Sequence, residues 1–289
     1  MTAGTVTRRA TDDTARSARR RRLNTAGREM ALLLAAALLY SLVRGVANDR
    51  VEAAFRHAEQ VISFERSIGI FVETDLQGLI LGHDWAVDAA NAFYIYGYWP
   101  VFVFSLVWLI TRRPAAYPLY RNAILASGAL SLVIFAFYPL APPRFLPEHG
   151  FVDTITLEAT AYRDLNSPTF VNEYAAMPSL HFGWILLLGI AWIALARHAV
   201  VRALGVLMPL LMFASIVLTG NHYVLDAVAG GGVIAFGLTT SVLIERWKRG
   251  RAVDAAIAGA RTDVSRRPRP PAAGIPAQRR GADDQLPVD

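Results

Sequence analysis

The stretch NEYAAMPSLHFGWILLLG, residues 172–189, contains the transition that decides the fold. A polar run that includes Pro178 changes within a few residues into an uncharged apolar run that is typical of a membrane helix. His181 lies just inside this transition. Proline suits the first turn of a helix, because its missing N–H group would have no partner there, so we expect the helix to begin at Pro178. A titratable side chain at the mouth of such a helix indicates either a wet functional site or a simple interfacial histidine.

The composition around this stretch is that of an integral membrane protein with polar ends. Of the 289 residues, 54% are hydrophobic, and the apolar runs fill the middle of the chain while arginine clusters fill both ends. The chain has no cysteine, which excludes disulfides, zinc–thiolate sites and cysteine nucleophiles. The formal charge of +6 lies in the ends and short loops, as membrane topology predicts, so we expect no nucleic-acid partner.

Six apolar segments predict an all-α, polytopic membrane protein with six transmembrane helices in a bundle. The polar and acidic segment 48–87 carries scattered apolar residues, which predicts short interfacial helices in the outer loops. The first apolar segment ends in small residues, as a signal peptide does, but its long charged leader favours a retained helix. The predicted spans are residues 30–47, 88–110, 122–140, 179–196, 203–219 and 224–244.

The distribution of arginine predicts the orientation and the domain organisation. With the N-terminus in the cytoplasm, every short arginine-rich loop falls inside, and the acidic segments 48–87 and 141–178 fall outside. We therefore expect a protein of the cell membrane with both termini cytoplasmic. The predicted organisation is a disordered basic tail (1–28), a six-helix membrane domain (29–248) and a disordered Pro- and Arg-rich tail (249–289).

This topology brings three polar stretches to the extracytoplasmic side of the membrane. They are FYPLAPPRFL (137–146), AAMPSLHFGW (175–184) and LTGNHYVLDAVAGG (218–231). We name them the first, second and third outer stretch. Their candidate functional residues are Arg144, Ser179, His181, His222 and Asp226.

His222 and Asp226 of the third outer stretch are spaced i, i+4, which on a helix places them within hydrogen-bond reach. A carboxylate bonded to one imidazole nitrogen fixes the tautomer and leaves the other nitrogen free to act as a base or nucleophile. An Asp at the centre of a membrane helix costs about 2.5–3.5 kcal/mol on insertion scales, so Asp226 needs a partner or a wet cavity. A satisfied pair that caps a helix is the alternative explanation.

Arg144, Ser179 and His181 have the chemistry of an anion site. A helix N-terminus offers free N–H groups to an anion, Ser179 adds a hydroxyl, and a guanidinium binds phosphate bidentately. Alone, each residue has an ordinary explanation as an interfacial or loop side chain. Together with the His222–Asp226 pair they supply a nucleophile, its orienting group, a proton donor and anion ligands, a set suited to phosphoryl transfer without a metal or other cofactor.

The second and third outer stretches resemble two signature motifs of the type 2 phosphatidic acid phosphatase superfamily. The sequences AAMPSLHFGW and GNHYVLDAVAGG are similar to the second and third motifs, and APPRFL resembles a diverged first motif. The branch that looks most similar is the inositol-phosphorylceramide synthase type. The resemblance covers roughly residues 30–245 and excludes both tails.

The resemblance implies a role for each candidate residue. His222 would attack phosphorus and form a phosphohistidine, and Asp226 would orient His222. His181 would protonate the leaving alcohol and later activate the acceptor. Arg144 and Ser179 would hold the phosphoryl oxygens, and no metal is implied.

Two departures from the phosphatase pattern bear on the reaction. The pattern has an arginine six residues before the histidine of the third motif, where this chain has Ile216, and a lysine seven before the arginine of the first motif, where it has Phe137. The synthase branch departs similarly, which favours a phosphotransferase that moves an inositol-phosphate-like headgroup from a lipid phosphate or phosphodiester to a polyol acceptor. A lipid phosphate phosphatase remains an alternative within the superfamily, and a non-catalytic transporter or scaffold is the alternative from another class.

Several residues outside this set have simpler interpretations. We expect His57 and His83 to be surface residues. His149 lies nearer the site but has no partner at metal-ligand spacing, so we expect it to be incidental. The glycines of the sixth span are predicted to serve close helix packing: Gly230, Gly231, Gly232 and Gly237. The tyrosines of the second span fit either a lipid entrance or an interfacial aromatic belt: Tyr94, Tyr96 and Tyr98.

Overall fold

The regular structure of the described residues is helical, apart from one isolated bridge between Leu140 and Ala175. The computed structural model describes residues 50–155 and 173–266, together with Ala35. The predicted first span (30–47), the N-terminal tail (1–28) and residues 267–289 of the C-terminal tail lie outside this part of the chain, Ala35 excepted.

Eight α-helices follow one another in the described ranges. They are α1 (Val51–Ser67), α2 (Glu73–Leu81), α3 (Asp84–Ala92), α4 (Tyr98–Arg112), α5 (Tyr117–Phe137), α6 (Leu180–Leu195), α7 (Ala199–Leu218) and α8 (Val224–Arg266). A π-helical turn, Phe93–Gly97, joins α3 to α4, and two 3₁₀ turns, Pro143–Phe145 and Pro147–His149, follow α5.

Four helical segments of the described chain are long and apolar enough to cross a membrane: Asp84–Arg112, Tyr117–Phe137, Ala199–Leu218 and Val224–Ala258. Helix α6 is also strongly apolar but has only 16 residues, about 24 Å of helix. Large apolar side chains such as Phe104, Val206 and Phe236 are exposed on these segments, as contact with lipid requires. The described part of the chain is therefore that of a helical membrane protein and supplies four candidate spans.

Several helix boundaries differ from those predicted. Helix α5 begins at Tyr117 instead of residue 122, and α7 begins at Ala199 instead of residue 203. The second predicted span began at residue 88, whereas the helix begins at Asp84 and continues through the π-helical turn. The C-terminal tail was predicted to be disordered from residue 249, whereas α8 continues to Arg266. Residues 245–266 are rich in Ala, Arg and other good helix formers, and the first proline after them is at position 268, which explains the extension.

Helices α1 and α2 do more than lie at an interface, because α1 packs on the outer stretches. Its apolar stripe, which includes Ala54, Ala58 and Ile62, is buried against Leu140 of the first outer stretch and Tyr223 of the third. The amphipathic pattern of segment 48–87 thus covers protein surface.

Candidate active site

Backbone hydrogen bonds join the first and second outer stretches. Leu140 N–H donates to Tyr174 C=O at 2.8 Å, and Ala176 N–H donates to Leu140 C=O at 3.3 Å. These two bonds form the parallel bridge between Leu140 and Ala175. Segments more than 30 residues apart in sequence are therefore held side by side immediately before the start of α6.

The third outer stretch is bonded to both of the others. Ser179 N–H donates to the backbone C=O of Asp226 at 3.0 Å, and Arg144 N–H donates to Gly220 C=O at 2.8 Å. Gly220 has φ +66°, a conformation that a side chain disfavours, and an added Cβ there would lie 3.4 Å from Cβ of Arg144. Glycine at this position lets the two stretches meet two residues before His222.

His222 and Asp226 form a buried pair. His222 Nδ1 lies 3.1 Å from Asp226 Oδ2, and the side chains are 7% and 0% exposed. The same oxygen accepts the Tyr223 N–H at 3.0 Å. Because a carboxylate can only accept, Nδ1 carries the proton and Nε2 of His222 is left with its lone pair.

The i, i+4 spacing predicted that the pair lies on the face of one helix, but the structure differs. Helix α8 begins at Val224, so His222 precedes it and Asp226 occupies the third helical position. An acidic side chain at that position accepts the N–H of the residue before the helix, here Tyr223, as in a capping box. The contact with His222 results from this turn at the helix N-terminus.

His181 lies in the first turn of α6, but the start of the helix differs from the prediction. The helix begins at Leu180, and Ser179 is its N-cap, with Oγ accepting the Phe182 N–H at 3.4 Å. Pro178 thus precedes the cap. Ser179 is fully buried, so its observed contact is with the helix, and its binding of a phosphoryl oxygen stays a prediction.

Two tyrosines enclose the imidazole of His181. Its ring centroid lies 4.9 Å from that of Tyr94 and 4.6 Å from that of Tyr98. Tyr94 belongs to the π-helical turn, a distortion often found at functional sites. The sequence pattern left the roles of these tyrosines open, and the structure places two of the three at His181.

His181 in the first turn of α6 and His222 directly before α8 approach each other. The ring centroids of His181 and His222 lie 6.3 Å apart, with the ring planes at 55°. A nucleophile lies about 3–3.5 Å from the atom that it attacks. A general acid lies about 2.6–3.2 Å from the atom that it protonates. Two histidines in these roles need a separation of this order. The separation of the ring centroids is therefore of the order that a phosphoryl group bound between the two rings would need.

Arg144 is buried close to the pair and has an acidic partner. Its side chain is 5% exposed, and one terminal nitrogen lies 3.3 Å from Asp153 Oδ2. The guanidinium carbon lies 4.4 Å from the centroid of the Phe145 ring, which restricts the side chain further. Asp153 thus holds the Arg144 guanidinium in place.

The two positions that depart from the phosphatase motifs lie in different surroundings. Ile216 is fully buried in an apolar cluster, and its backbone C=O accepts the N–H groups of Asn221 and His222 at 3.0 and 3.1 Å. Phe137 is 76% exposed at the end of α5. Neither position supplies a cationic ligand, so Arg144 is the arginine that the motifs contribute to this site.

Sequence analysis missed two acidic residues that contact the site and misjudged His57. Glu65 and Glu73, on α1 and α2, are fully buried and accept N–H groups of the first turn of α8. His57 is half-buried, stacks on Tyr138 with ring centroids 4.0 Å apart, and Nδ1 lies 2.7 Å from Pro139 C=O. The signal for Glu65 was present, since it continues the apolar stripe of α1 at helical spacing.

One cluster of the described residues has the atom types of a metal site. Oxygens of Glu59 and Glu148 and a nitrogen of His149 lie within 4.8 Å of one another. His149 Nε2 lies 2.8 Å from Glu59 Oε1, and its other nitrogen lies 3.3 Å from a terminal nitrogen of Arg66. The carboxylates are solvent-exposed, and the Arg66 guanidinium donates to one nitrogen of His149 while the other nitrogen bonds to Glu59, so hydrogen bonding explains the cluster. His149, which we expected to be incidental, is part of this hydrogen-bonded group.

Comparison with known proteins decides the family. The family model described as PAP2 superfamily matches residues 59–240, well over half of the chain and all three outer stretches. The chain belongs to the PAP2 superfamily. No curated protein and no solved structure matches it.

Membership of the PAP2 superfamily supports a lipid phosphatase or phosphotransferase type of function. It also implies a lipid phosphate in a membrane as the substrate, in agreement with the apolar helices. In this PAP2 protein the match includes both histidines of the candidate site, Asp226, Arg144 and Ser179.

Proposed function

We propose that this PAP2 protein is an integral membrane phosphotransferase that acts on a lipid phosphate or phosphodiester through a phosphohistidine at His222. The observation that carries the proposal is the buried His222–Asp226 pair with the ring of His181 6.3 Å away. This arrangement supplies a nucleophile and a general acid to the same phosphorus atom.

In the first step Nε2 of His222 attacks phosphorus, and the bond from phosphorus to the leaving oxygen of the lipid breaks. His181 gives its proton to that oxygen, so the lipid departs as an alcohol. Asp226 stabilises the positive charge that develops on the His222 ring, because its carboxylate is bonded to Nδ1–H.

In the second step an acceptor hydroxyl attacks phosphorus and the bond from phosphorus to His222 Nε2 breaks. His181 takes the proton of the acceptor and is restored to its starting state. Arg144 stabilises the negative charge on the phosphoryl oxygens, while its bond to Asp153 fixes its direction. We also assign Ser179 to this anion site, where its hydroxyl hydrogen would complement its role as helix cap.

We propose transfer to an alcohol, in particular movement of an inositol-phosphate-like headgroup to a polyol, as the preferred reaction. Its support is the absence of cationic side chains at Ile216 and Phe137, which leaves less positive charge for the dianion of a phosphate monoester. A phosphodiester carries one negative charge and needs less compensation. Hydrolysis of a lipid phosphate is the second candidate, because the PAP2 family includes phosphatases.

We further propose six transmembrane helices, with residues 30–47 as the first span and α6 as the fourth. Both termini would be cytoplasmic and the site would lie on the extracytoplasmic side of the cell membrane. The support is the distribution of arginine, which puts Arg112, Arg113, Arg197 and Arg202 at the opposite ends of the helices from His181 and His222.

The test of the chemistry is the variant His222→Ala in purified protein. We expect loss of turnover on lipid phosphate and phosphodiester substrates, together with loss of an acid-labile phosphoenzyme that the wild type accumulates. The control is His198→Ala, which removes an exposed histidine in the loop before α7. Full activity in His222→Ala would refute the proposal.

The choice between transfer and hydrolysis is tested by adding a polyol such as inositol to the assay. Transfer predicts a new phosphorylated polyol whose amount rises with the polyol concentration. Free phosphate released at the same rate with and without the polyol would identify the protein as a phosphatase.

A further inference from the structure

Two glutamates from the outer helices hold the N-terminus of α8. Glu65 Oε1 accepts the Leu225 N–H at 2.7 Å, and Glu73 Oε1 accepts the Val224 N–H at 2.8 Å. Both carboxyl groups belong to residues that are fully buried. The first N–H groups of a helix have no partner within it, so these bonds satisfy two donors directly before Asp226.

In the part of the chain that the structure describes, the remaining oxygen of each carboxyl group is left without a hydrogen-bond donor. Among the described residues, Oε2 of Glu65 and Oε2 of Glu73 are buried without a hydrogen-bond partner. The two carboxyl groups are neighbours, since they accept the N–H groups of the consecutive residues Val224 and Leu225, and two ionised carboxylates cannot hydrogen-bond to each other because both only accept. A single proton shared by the two Oε2 atoms satisfies both.

Electrostatics favour the same state. Burial, and next the contact with Glu73, raise the pKa of Glu65 to about 9. The titratable groups that act on Glu65 are Glu73 on α2 and Asp226 on α8, and both are acidic. Tyr223, which adjoins the pair, stays neutral because burial raises its pKa. Adding another negative charge among these groups is costly in a low-dielectric site.

We propose that Glu65 and Glu73 share one proton and act as positioning residues that hold the first turn of α8, and with it the His222–Asp226 pair. The positioning role rests on the function proposed above, whereas the shared proton does not. Asp226 lies one residue after Leu225, so a shift of this turn moves Oδ2 away from Nδ1 of His222. Helices α1 and α2 would thereby control the tautomer of the nucleophile from outside the membrane.

The experiment compares Glu65→Gln, Glu65→Ala and the control Glu59→Gln, which lies exposed on the same helix. The glutamine amide accepts from Leu225 N–H and donates to Glu73, so it replaces the shared proton without a change of charge. The alanine variant exposes the Leu225 N–H and leaves Glu73 charged. We expect near wild-type kcat in Glu65→Gln and Glu59→Gln, and at least a tenfold lower kcat with little change in KM in Glu65→Ala.

Two measurements test whether Glu65 and Glu73 share a proton, and neither requires an assay of turnover. Infrared spectra at neutral pH should show the carbonyl band of a buried protonated carboxyl group in the wild type and in Glu59→Gln, and its loss in Glu65→Gln. The wild type should also lose thermal stability as pH rises from about 4.5 toward about 9, because the folded state binds the proton more tightly than the unfolded chain. In Glu65→Gln this slope should flatten.

The shared proton is overturned if the infrared band is absent from the wild type, or if the melting temperatures of wild type and Glu65→Gln change in parallel with pH. Equal kcat in Glu65→Ala and wild type would overturn the positioning role. If the wild type turns over no lipid phosphate at all, the proposed function fails, and the two spectroscopic measurements still decide the state of the pair.

Discussion

His222 is the residue on which the chemistry depends, and its environment is set by a single carboxylate. Asp226 Oδ2 contacts both Nδ1 of His222 and the N–H of Tyr223, so one oxygen fixes the tautomer and the local backbone. The other oxygen, Oδ1, is buried without a hydrogen-bond partner among the described residues. A group held in this way is costly to bury and is expected where function requires it.

The variant Asp226→Asn tests this arrangement at the scale of one atom. The amide can bond to the ring with little change in shape but lacks the charge that stabilises a developing imidazolium. We expect turnover to fall by about 10²-fold or more, while the circular dichroism spectrum stays that of the wild type. Activity within twofold of the wild type would show that Asp226 only caps α8.

At the scale of elements, the site depends on the close crossing of α6 and α8. A Cβ on Gly230 would lie 2.5 Å from the backbone oxygen of Ser179, and a Cβ on Gly183 would lie 3.0 Å from the Gly230 oxygen. This contact allows Ser179 N–H to reach the Asp226 C=O. Of the four glycines predicted to serve close packing, Gly230 and Gly237 do so, whereas Gly231 and Gly232 have open space.

Alanine substitution distinguishes glycines in close helix contact from glycines with free space around them. Gly230→Ala should push α6 and α8 apart and lower the free energy of unfolding by about 1–3 kcal/mol. Turnover should fall as well, because His181 lies in the first turn of α6 and His222 directly precedes α8. Gly231→Ala is the matched control and should change neither quantity, since its Cβ meets nothing within 4 Å. Thermal melts in detergent and turnover assays measure both effects; equal melting temperatures would contradict the close crossing.

At the scale of the whole molecule, the proposed function requires the site to open on the extracytoplasmic side. The chain has no cysteine, so single cysteines can be introduced without a background. Glu148 is exposed near Arg144, and Arg197 is exposed in the loop between α6 and α7.

A membrane-impermeant thiol reagent added to intact cells should label Glu148→Cys and leave Arg197→Cys unlabelled until the membrane is permeabilised. The proposed orientation predicts this result, because arginine-rich loops remain in the cytoplasm. The reverse pattern would place the site on the cytoplasmic side and would refute the topology.

The local pattern of the chain was sufficient for the class of fold and for the identity of the candidate residues. Long uncharged runs cannot be solvated, so the apolar segments around α4, α5, α7 and α8 were evident without coordinates. The spacing of His222 and Asp226 indicated a contact, although it arises from a helix N-cap turn instead of from a helix face. Helix ends were the weakest part, since the propensities of residues 245–266 extended α8 past its predicted end.

Contacts between distant segments depended on packing that no local pattern contains. The 6.3 Å separation of the two histidine rings, the bond between Arg144 and Asp153, and the enclosure of His181 by Tyr94 and Tyr98 all join different elements. The burial of Glu65 and Glu73 at the start of α8 likewise appears only when α1 and α2 fold over the outer stretches. Periodicity along a chain shows which face of a helix is apolar, whereas the partner of that face is set by the free energy of the assembled core.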